Sequence, residues 1–333
     1  MSYLLAITAS FGITLVQAGG QFGKHLTEAL LNTGNHTVTA ITRPDSKSQL
    51  PEGVRAARVD YSGDDLGALV DALRGQQALI ITMAVTAPRD TVSKLVRAAA
   101  QAGVAYVMPN WFGHDACNKQ LCDDSFLSQM GEAIDTEINS LGVSINLRLV
   151  CNFWYEFSLG GGPDRFGFDF TKRSFIVFDK GDVPINVSTW PQCSRAIANL
   201  FNLKRLPENE SDRSPTLSHF RGRPIYISSF RLSQLDMFEA VKRVTKTKSE
   251  DWTITQESAE ERWKEGHAAV MQGNFGGFTK QLYSRMFFPN GDGDYESHRA
   301  LDNEALSLPV EDIDECTAVG VRMGENGEVV FYH

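Results

Sequence analysis

Two stretches of the chain carry residue types and spacings that can do chemistry. The first is Gln17-Ala18-Gly19-Gly20-Gln21-Phe22-Gly23. It follows an apolar run containing Ile13, Leu15 and Val16, and it leads into a segment where Leu26, Leu30 and Leu31 recur at helical spacing. A glycine turn between a buried strand and a helix seats a pyrophosphate. The backbone approaches the phosphates where no Cβ intervenes, and the helix start offers free N–H groups and the positive end of its dipole. Gly20 and Gly23 hold two places of a G-x-x-G-x-x-G spacing, and Gln17 stands at the first. A glycine-rich turn that binds nothing reads the same way, so the motif gains weight only from its surroundings. The second stretch is Pro109-Asn110-Trp111-Phe112-Gly113-His114-Asp115, with Lys119 shortly after and Cys151-Asn152-Phe153-Trp154-Tyr155-Glu156-Phe157 further on. Asp115 and Lys119 suit proton transfer if burial or a neighbour shifts them, and His114 titrates near neutrality unaided. Asn110 suits a substrate oxygen or a carboxamide. Trp111, Phe153, Trp154 and Tyr155 suit stacking on a flat apolar molecule; core packing is the better account of any one of them, but at carboxyl ends at least one is expected to face the pocket.

The elements that position these residues follow from periodicity. After the first helix, Asn32-Thr33-Gly34-Asn35 is a stop, and 36–42 is a β-branched second strand. The third strand is read at 54–59, the fourth at 78–83, the fifth at 105–108 and the sixth at 143–150. Helices at 64–73, 91–102 and 128–141 alternate with them. Repeated β-α-β units with right-handed crossovers predict a doubly wound parallel sheet covered on both faces. Ligands then lie outside the carboxyl ends of the strands. That rule places Met83 and Ala84 against a cofactor, and it places both aromatic loops at the same rim. After Gly160-Gly161-Gly162-Pro163 the pattern changes. An aromatic segment at 166–178 and helices at 188–203, 232–244, 258–272 and 278–287 predict a smaller α/β lobe, partly packing back on the sheet. The division read here is 1–150 for the sheet and 151–333 for the lobe. Asn290-Gly291-Asp292-Gly293-Asp294 is read as a solvated turn, because calcium-loop spacing is not met.

The second strand ends at Arg43-Pro44-Asp45-Ser46-Lys47. An acid at this place would take the free 2′-hydroxyl of NAD, whereas Arg43, Ser46 and Lys47 suit the 2′-phosphate of NADP(H). At 333 residues with net charge −9, the chain is expected to bind neither nucleic acid nor an anionic membrane surface, and any phosphate site must be built locally. Five scattered cysteines without a C-x-x-C pair predict a reduced, cytoplasmic protein without structural zinc. The apolar N-terminal run lacks a preceding Lys or Arg and runs straight into the glycine turn, so it reads as a first strand rather than a signal peptide.

Taken together, Gly19-Gly20-Gln21-Phe22-Gly23, Arg43 with Ser46-Lys47, Pro109-Asn110-Trp111-Phe112-Gly113, the 153–159 segment and Ser188-Thr189-Trp190-Pro191 resemble the NmrA-like, isoflavone-reductase-like branch of the atypical short-chain dehydrogenases, in its fungal form. The resemblance implies a Rossmann sheet and NADP(H), with Gly19, Gly20, Gln21, Phe22, Gly23, Arg43, Ser46, Lys47, Met83, Ala84 and Asn110 on the cofactor. It implies hydride transfer to an apolar or heterocyclic small molecule of secondary metabolism, such as a conjugated imine or enone of alkaloid type. A redox-mediated cyclase or isomerase and a dinucleotide-sensing regulator are the alternatives within that branch. Two departures stand out. Gln17 replaces the first glycine. The lysine that the plant reductases carry in the helix after the fifth strand aligns with Gly131, and no Lys occurs in 125–142. The Tyr-x-x-x-Lys pair of ordinary short-chain dehydrogenases is also missing, since Tyr106 is followed by Asn110 and Tyr155 by Leu159. Catalytic roles are expected among Asn110, His114, Asp115, Lys119 and Tyr155, and a proton donor, if one is used, must come from elsewhere than that lysine position.

Overall fold

A computed structural model describes residues 11–83 and 87–329. Strands β1 (Gly12–Val16), β2 (Thr37–Thr42), β3 (Arg55–Arg58), β4 (Ala78–Ile81) and β5 (Tyr106–Met108) form a parallel sheet. After the short β6 (Phe112–Gly113), β7 (Ile145–Asn146) closes its edge, giving the order β3-β2-β1-β4-β5-β7. The sheet's central strands β1, β2, β4 and β5 are buried on both faces, and alternate residues divide between two cores. Ile13, Leu15, Ala40 and Ile80 pack toward α1 (Gln21–Asn32). Val16, Ile41, Leu79 and Ile81 pack toward α2 (Gly67–Leu73), α3 (Arg89–Gln101) and α5 (Ser128–Leu141), with the short α4 (Lys119–Asp124) lying beside α5.

The expected sixth strand at 143–150 is a correction. Only Ile145–Asn146 joins the sheet; Leu149–Val150, here β8, pairs with β6 instead. The edge strand has a partner on one side only, so nothing holds the chain in the sheet past Leu147. Beyond it come β9 (Phe153–Trp154), α6 (Tyr155–Leu159), β10 (Phe168–Asp169), β11 (Ser174–Phe178), β12 (Ile185–Ser188) and α7 (Trp190–Asn202). Then follow β13 (Ile225–Tyr226), β14 (Phe230–Leu232), α8 (Gln234–Thr245), β15 (Thr253–Glu257), α9 (Ala259–Met271), α10 (Gly277–Met286) and α11 (Ile313–Glu325). The strands make three small sheets, β10-β11-β15, β14-β12-β9 and β13-β8-β6.

Helix α7 lies against α1, so the C-terminal half completes one face of the main sheet. Thr189 caps α7 by accepting from the Gln192 N–H at 3.0 Å, and Pro191 occupies its first turn, where a missing N–H costs nothing. The lobe has its own aromatic core around Tyr155, Phe166, Phe168, Phe175 and Phe287. The 290–294 segment is not a solvated turn. Asp292 accepts from Arg285 and Asn118, and buried Asp294 accepts both nitrogens of an Arg231 fork. No described helix is long and apolar enough to cross a membrane.

Candidate functional site

At the end of β1 the chain turns through 17–20 into α1. Gly20 is the N-cap, no side chain caps the helix, and its first turn contains no acid. The first N–H groups and the dipole therefore face outward toward whatever anion lies there. Gln17 adopts φ 62°, in the left-handed region that favours glycine, with its side chain exposed. This costs a non-glycine residue roughly 1 kcal/mol. The turn is held by the Gly20 N–H on the Gln17 carbonyl at 2.9 Å and by Thr82, whose Oγ1 donates to the Val16 carbonyl at 2.7 Å. Gly23 lies directly beneath. A Cβ there would stand 2.3 Å from the Gln17 carbonyl oxygen, so α1 can approach this closely only on a glycine. An uncapped helix start beside a bare backbone turn fits the diphosphate of a dinucleotide.

The end of β2 supplies the charges. Arg43 pairs with Asp45 at 3.8 Å on the exposed surface, and the Ser46 N–H donates to the Arg43 carbonyl at 3.1 Å. Lys47 is exposed beside them. Sequence reasoning missed Arg58, which stands opposite Thr42 at the end of β3 and donates to the carbonyls of Pro44 and Ser46. Its signal was the register between two short strands, which the sequence does not print.

At the other end of the rim, Met83 is buried past β4, and Ala84 lies outside the described residues. Asn110 is half-buried just past β5, and its side chain has no hydrogen bond to a described residue. Trp154 is half-buried and stacks on Phe22, in the first turn of α1, at 5.2 Å. It is the aromatic residue of the expected set that the fold brings to the phosphate turn. The other three pack elsewhere. Phe153 lies face to face with Tyr283 at 3.8 Å, Tyr155 is fully buried with its hydroxyl on Thr317 at 2.8 Å, and Trp111 lies over Gly131. A Cβ at residue 131 would stand 2.8 Å from Trp111 Cζ3. The indole is fixed by its Nε1–H on the His114 carbonyl at 3.0 Å and by Arg148, whose guanidinium carbon lies 4.8 Å from the ring centroid and which is ion-paired with Asp135. The ring thus fills the space into which a side chain at residue 131 would project.

The groups expected to move protons are mostly engaged. His114 is buried, with Ser125 Oγ at 3.3 Å from Nε2. Desolvation lowers its pKa to about 4, so it is neutral at pH 7. Asp115 is buried and accepts from the Tyr226 hydroxyl at 2.8 Å and the Cys117 N–H at 2.9 Å, with Arg299 Nε at 3.4 Å. Burial raises the Tyr155 hydroxyl well above its ordinary range. Lys119 is exposed on α4 and held by Asp123 at 3.1 Å. Sequence reasoning also missed Glu156. Its Oε1 accepts from the Trp190 N–H at 2.8 Å, and its buried Oε2 has no partner among the described residues. Burial raises its pKa to about 7.

A doubly wound sheet with an uncapped phosphate turn at its centre defines a dinucleotide-binding protein. The comparisons with known proteins agree. Residues 18–134 match a family model described as NAD(P)H-binding. The chain is 28% identical over 313 residues to Oxidoreductase aprR of Aspergillus flavus, covering 92% of this chain and 97% of the relative. It is 25% identical over 319 residues to Oxidoreductase poxI of Penicillium oxalicum, covering 92% of each. Among solved structures, AtPrR2 with NADP+ and (+)pinoresinol superposes with a TM-score of 0.71 at 16% identity, covering 94% of this chain and 99% of that one. Residues 18–134 thus match an NAD(P)H-binding family model, the chain as a whole is similar to fungal oxidoreductases, and its fold is that of the solved pinoresinol and isoflavone reductases.

Proposed function

We propose that this protein is an NADP(H)-dependent reductase of an apolar, conjugated heterocycle carrying an iminium group, acting in fungal secondary metabolism. The observation that carries the reading is the Trp111 indole lying on Gly131, where the resemblance places the lysine of the plant reductases. His114 is neutral, Asp115 is tied to Tyr226, and Lys119 faces solvent. An enone needs a proton after the hydride arrives. The reduced nicotinamide supplies the hydride when bound, and an iminium carbon that takes it becomes a neutral amine with no proton required.

In this reading the chain binds and orients. The α1 start and Gly19-Gly20 hold the diphosphate, and Arg43, Ser46 and Lys47 hold the 2′-phosphate. Met83 and Asn110 line the nicotinamide end, and Asn110 donates to the carboxamide. Trp154 stacks on the substrate, with its face also favouring a cation. The unit at 1–150 carries the cofactor, and the lobe at 151–333 excludes water from it. The five free cysteines support a reducing, cytoplasmic setting. The same packing of Trp111 on Gly131 also favours a second reading, a redox-neutral cyclisation that returns the hydride and consumes no cofactor.

The test is incubation with NADPH and a panel of matched iminium and enone heterocycles, following nicotinamide absorbance and product mass together. Stoichiometric NADPH loss with iminium substrates alone is the expected result. Product without net loss would shift the assignment to the cyclase, faster turnover of enones would overturn the iminium reading, and NADPH binding without any product would favour a cofactor-sensing regulator.

A further inference from the structure

The loop that leaves β2 is held from below by a residue of the neighbouring strand. Arg58 stands opposite Thr42 in the parallel register of β2 and β3. Its Nη1 donates to the Pro44 carbonyl at 3.0 Å and to the Ser46 carbonyl at 3.4 Å. One guanidinium nitrogen across two carbonyls fixes the turn in which the Ser46 N–H donates to the Arg43 carbonyl. At its far side the loop rests on the phosphate turn, since a Cβ added at Gly19 would stand 2.9 Å from Ser48 Cβ. The Ser48 N–H donates to Ser46 Oγ at 3.3 Å, which leaves the Ser46 hydroxyl hydrogen free to donate elsewhere.

Arg43 and Lys47 are exposed on the loop that exposed Arg58 holds, with Asp45 between them, in a chain whose net charge is −9. Arg43 and Asp45 are 3.8 Å apart with side chains 65% and 80% exposed. A pair so exposed contributes little. A phosphate dianion, which presents three oxygens to a guanidinium, displaces it.

We propose that Arg58 is the positioning residue for the 2′-phosphate of NADP(H). By holding the carbonyls of Pro44 and Ser46 it sets residues 43–47 in the shape from which Arg43 exchanges Asp45 for the phosphate and Ser46 donates its hydroxyl. This rests on the NADP(H) reading given above.

The experiment compares adenosine 2′,5′-bisphosphate with AMP, which differ only in the 2′-phosphate, by calorimetric titration of the wild type, Arg58→Ala and Arg58→Lys. The wild type is expected to bind the bisphosphate about tenfold more tightly than AMP. Arg58→Ala is expected to lose about tenfold in bisphosphate affinity and to bind AMP unchanged. Arg58→Lys restores the charge on a shorter side chain whose nitrogen falls short of the two carbonyls, and it is expected to stay close to Arg58→Ala. Equal loss for both nucleotides would make Arg58 a general support of the loop and overturn the proposal, as would no loss for either. Full rescue by lysine would overturn positioning in favour of charge alone. A wild type that does not distinguish the two nucleotides would instead overturn the NADP(H) reading itself.

Discussion

The phosphate turn and the loop after β5 sit at the same rim of the sheet, yet they are built in opposite ways. Around 17–23 and 43–47 the backbone is bare, the helix start is uncapped, and the charged side chains are exposed with weak partners. From Asn110 to Lys119 the polar side chains are mostly already committed: His114 to Ser125, Asp115 to Tyr226 and Lys119 to Asp123. Asn110 is the exception. A binding site for a charged cofactor keeps its groups unsatisfied until the ligand arrives. In the second region the same residue types hydrogen-bond one another and brace the loop.

The difference can be broken most directly at Gly23. Gly23→Ala places a Cβ against the Gln17 carbonyl oxygen at 2.3 Å, which is backbone and cannot swing aside. The expected cost is about 3 kcal/mol or more, with loss of NADPH binding, read by urea denaturation and by quenching of nicotinamide fluorescence.

Two buried titrating groups sharpen it next, through pH. Glu156 has a folded pKa of about 7 against an ordinary 4.5, so the fold binds the extra proton. Its contribution is full below pH 4.5 and is lost as pH rises toward 7, by about 3 kcal/mol. Its charged neighbour is Glu311, with Cys193 and Cys316 nearby. Glu156→Gln is expected to remove that slope and to raise stability at pH 8. His114 has the opposite sign. Its folded pKa of about 4 lies below the ordinary 6.5, so stability is full above pH 6.5 and is lost as pH falls toward 4, by a similar amount. The wild type should show a flattened profile between pH 5 and 6, roughly where the two windows overlap. Each single variant, Glu156→Gln or His114→Gln, should expose the slope of the other in urea midpoints taken from pH 5 to 8.

Gly131→Lys tests the packing that closes the lysine position. The new side chain meets Trp111, and a loss of about 2 kcal/mol is expected. Combined with Trp111→Ala the two changes should be non-additive, because the ring is what the lysine strikes. A gain of enone turnover in the double variant would show that a proton donor was all that was lacking. Gln17→Gly is expected to act more weakly, raising stability by up to about 1 kcal/mol through relief of the left-handed residue, with NADPH binding retained. The smallest effect belongs to Lys119→Ala. An exposed pair is lost, and stability within about 0.5 kcal/mol of wild type with unchanged turnover is expected. A loss of turnover there would restore Lys119 to the site.

Legibility followed sequence distance. The first helix, its glycine turn and the alternation of strands and helices to Met108 were readable, because each depends on residues within a few positions of one another. Thr189 and Pro191 announced α7 for the same reason. The strand Thr253–Glu257 was not readable: it has one apolar residue, and only its parallel pairing with Phe175 and its neighbours makes it a strand. Helix α11 was hidden by Gly320 and Gly324, poor helix formers that the close approach to α6 and Phe170 demands. Arg58 and Thr82 could not be found as partners of the turn and the loop, since strand register is a property of the sheet.

By itself the sequence determined a doubly wound α/β sheet, the glycine turn between its first strand and helix, and the basic cluster at the end of its second strand. These follow from local geometry: a glycine conformation, a helix start and the two-residue period of buried strands. Only the tertiary structure decided which polar residues were left to act. It buried His114 and made it neutral, spent Asp115 on Tyr226, and laid Trp111 on Gly131. Burial and partnership are set by segments far apart in the chain, and the chemistry of a side chain is fixed by those neighbours as much as by its type.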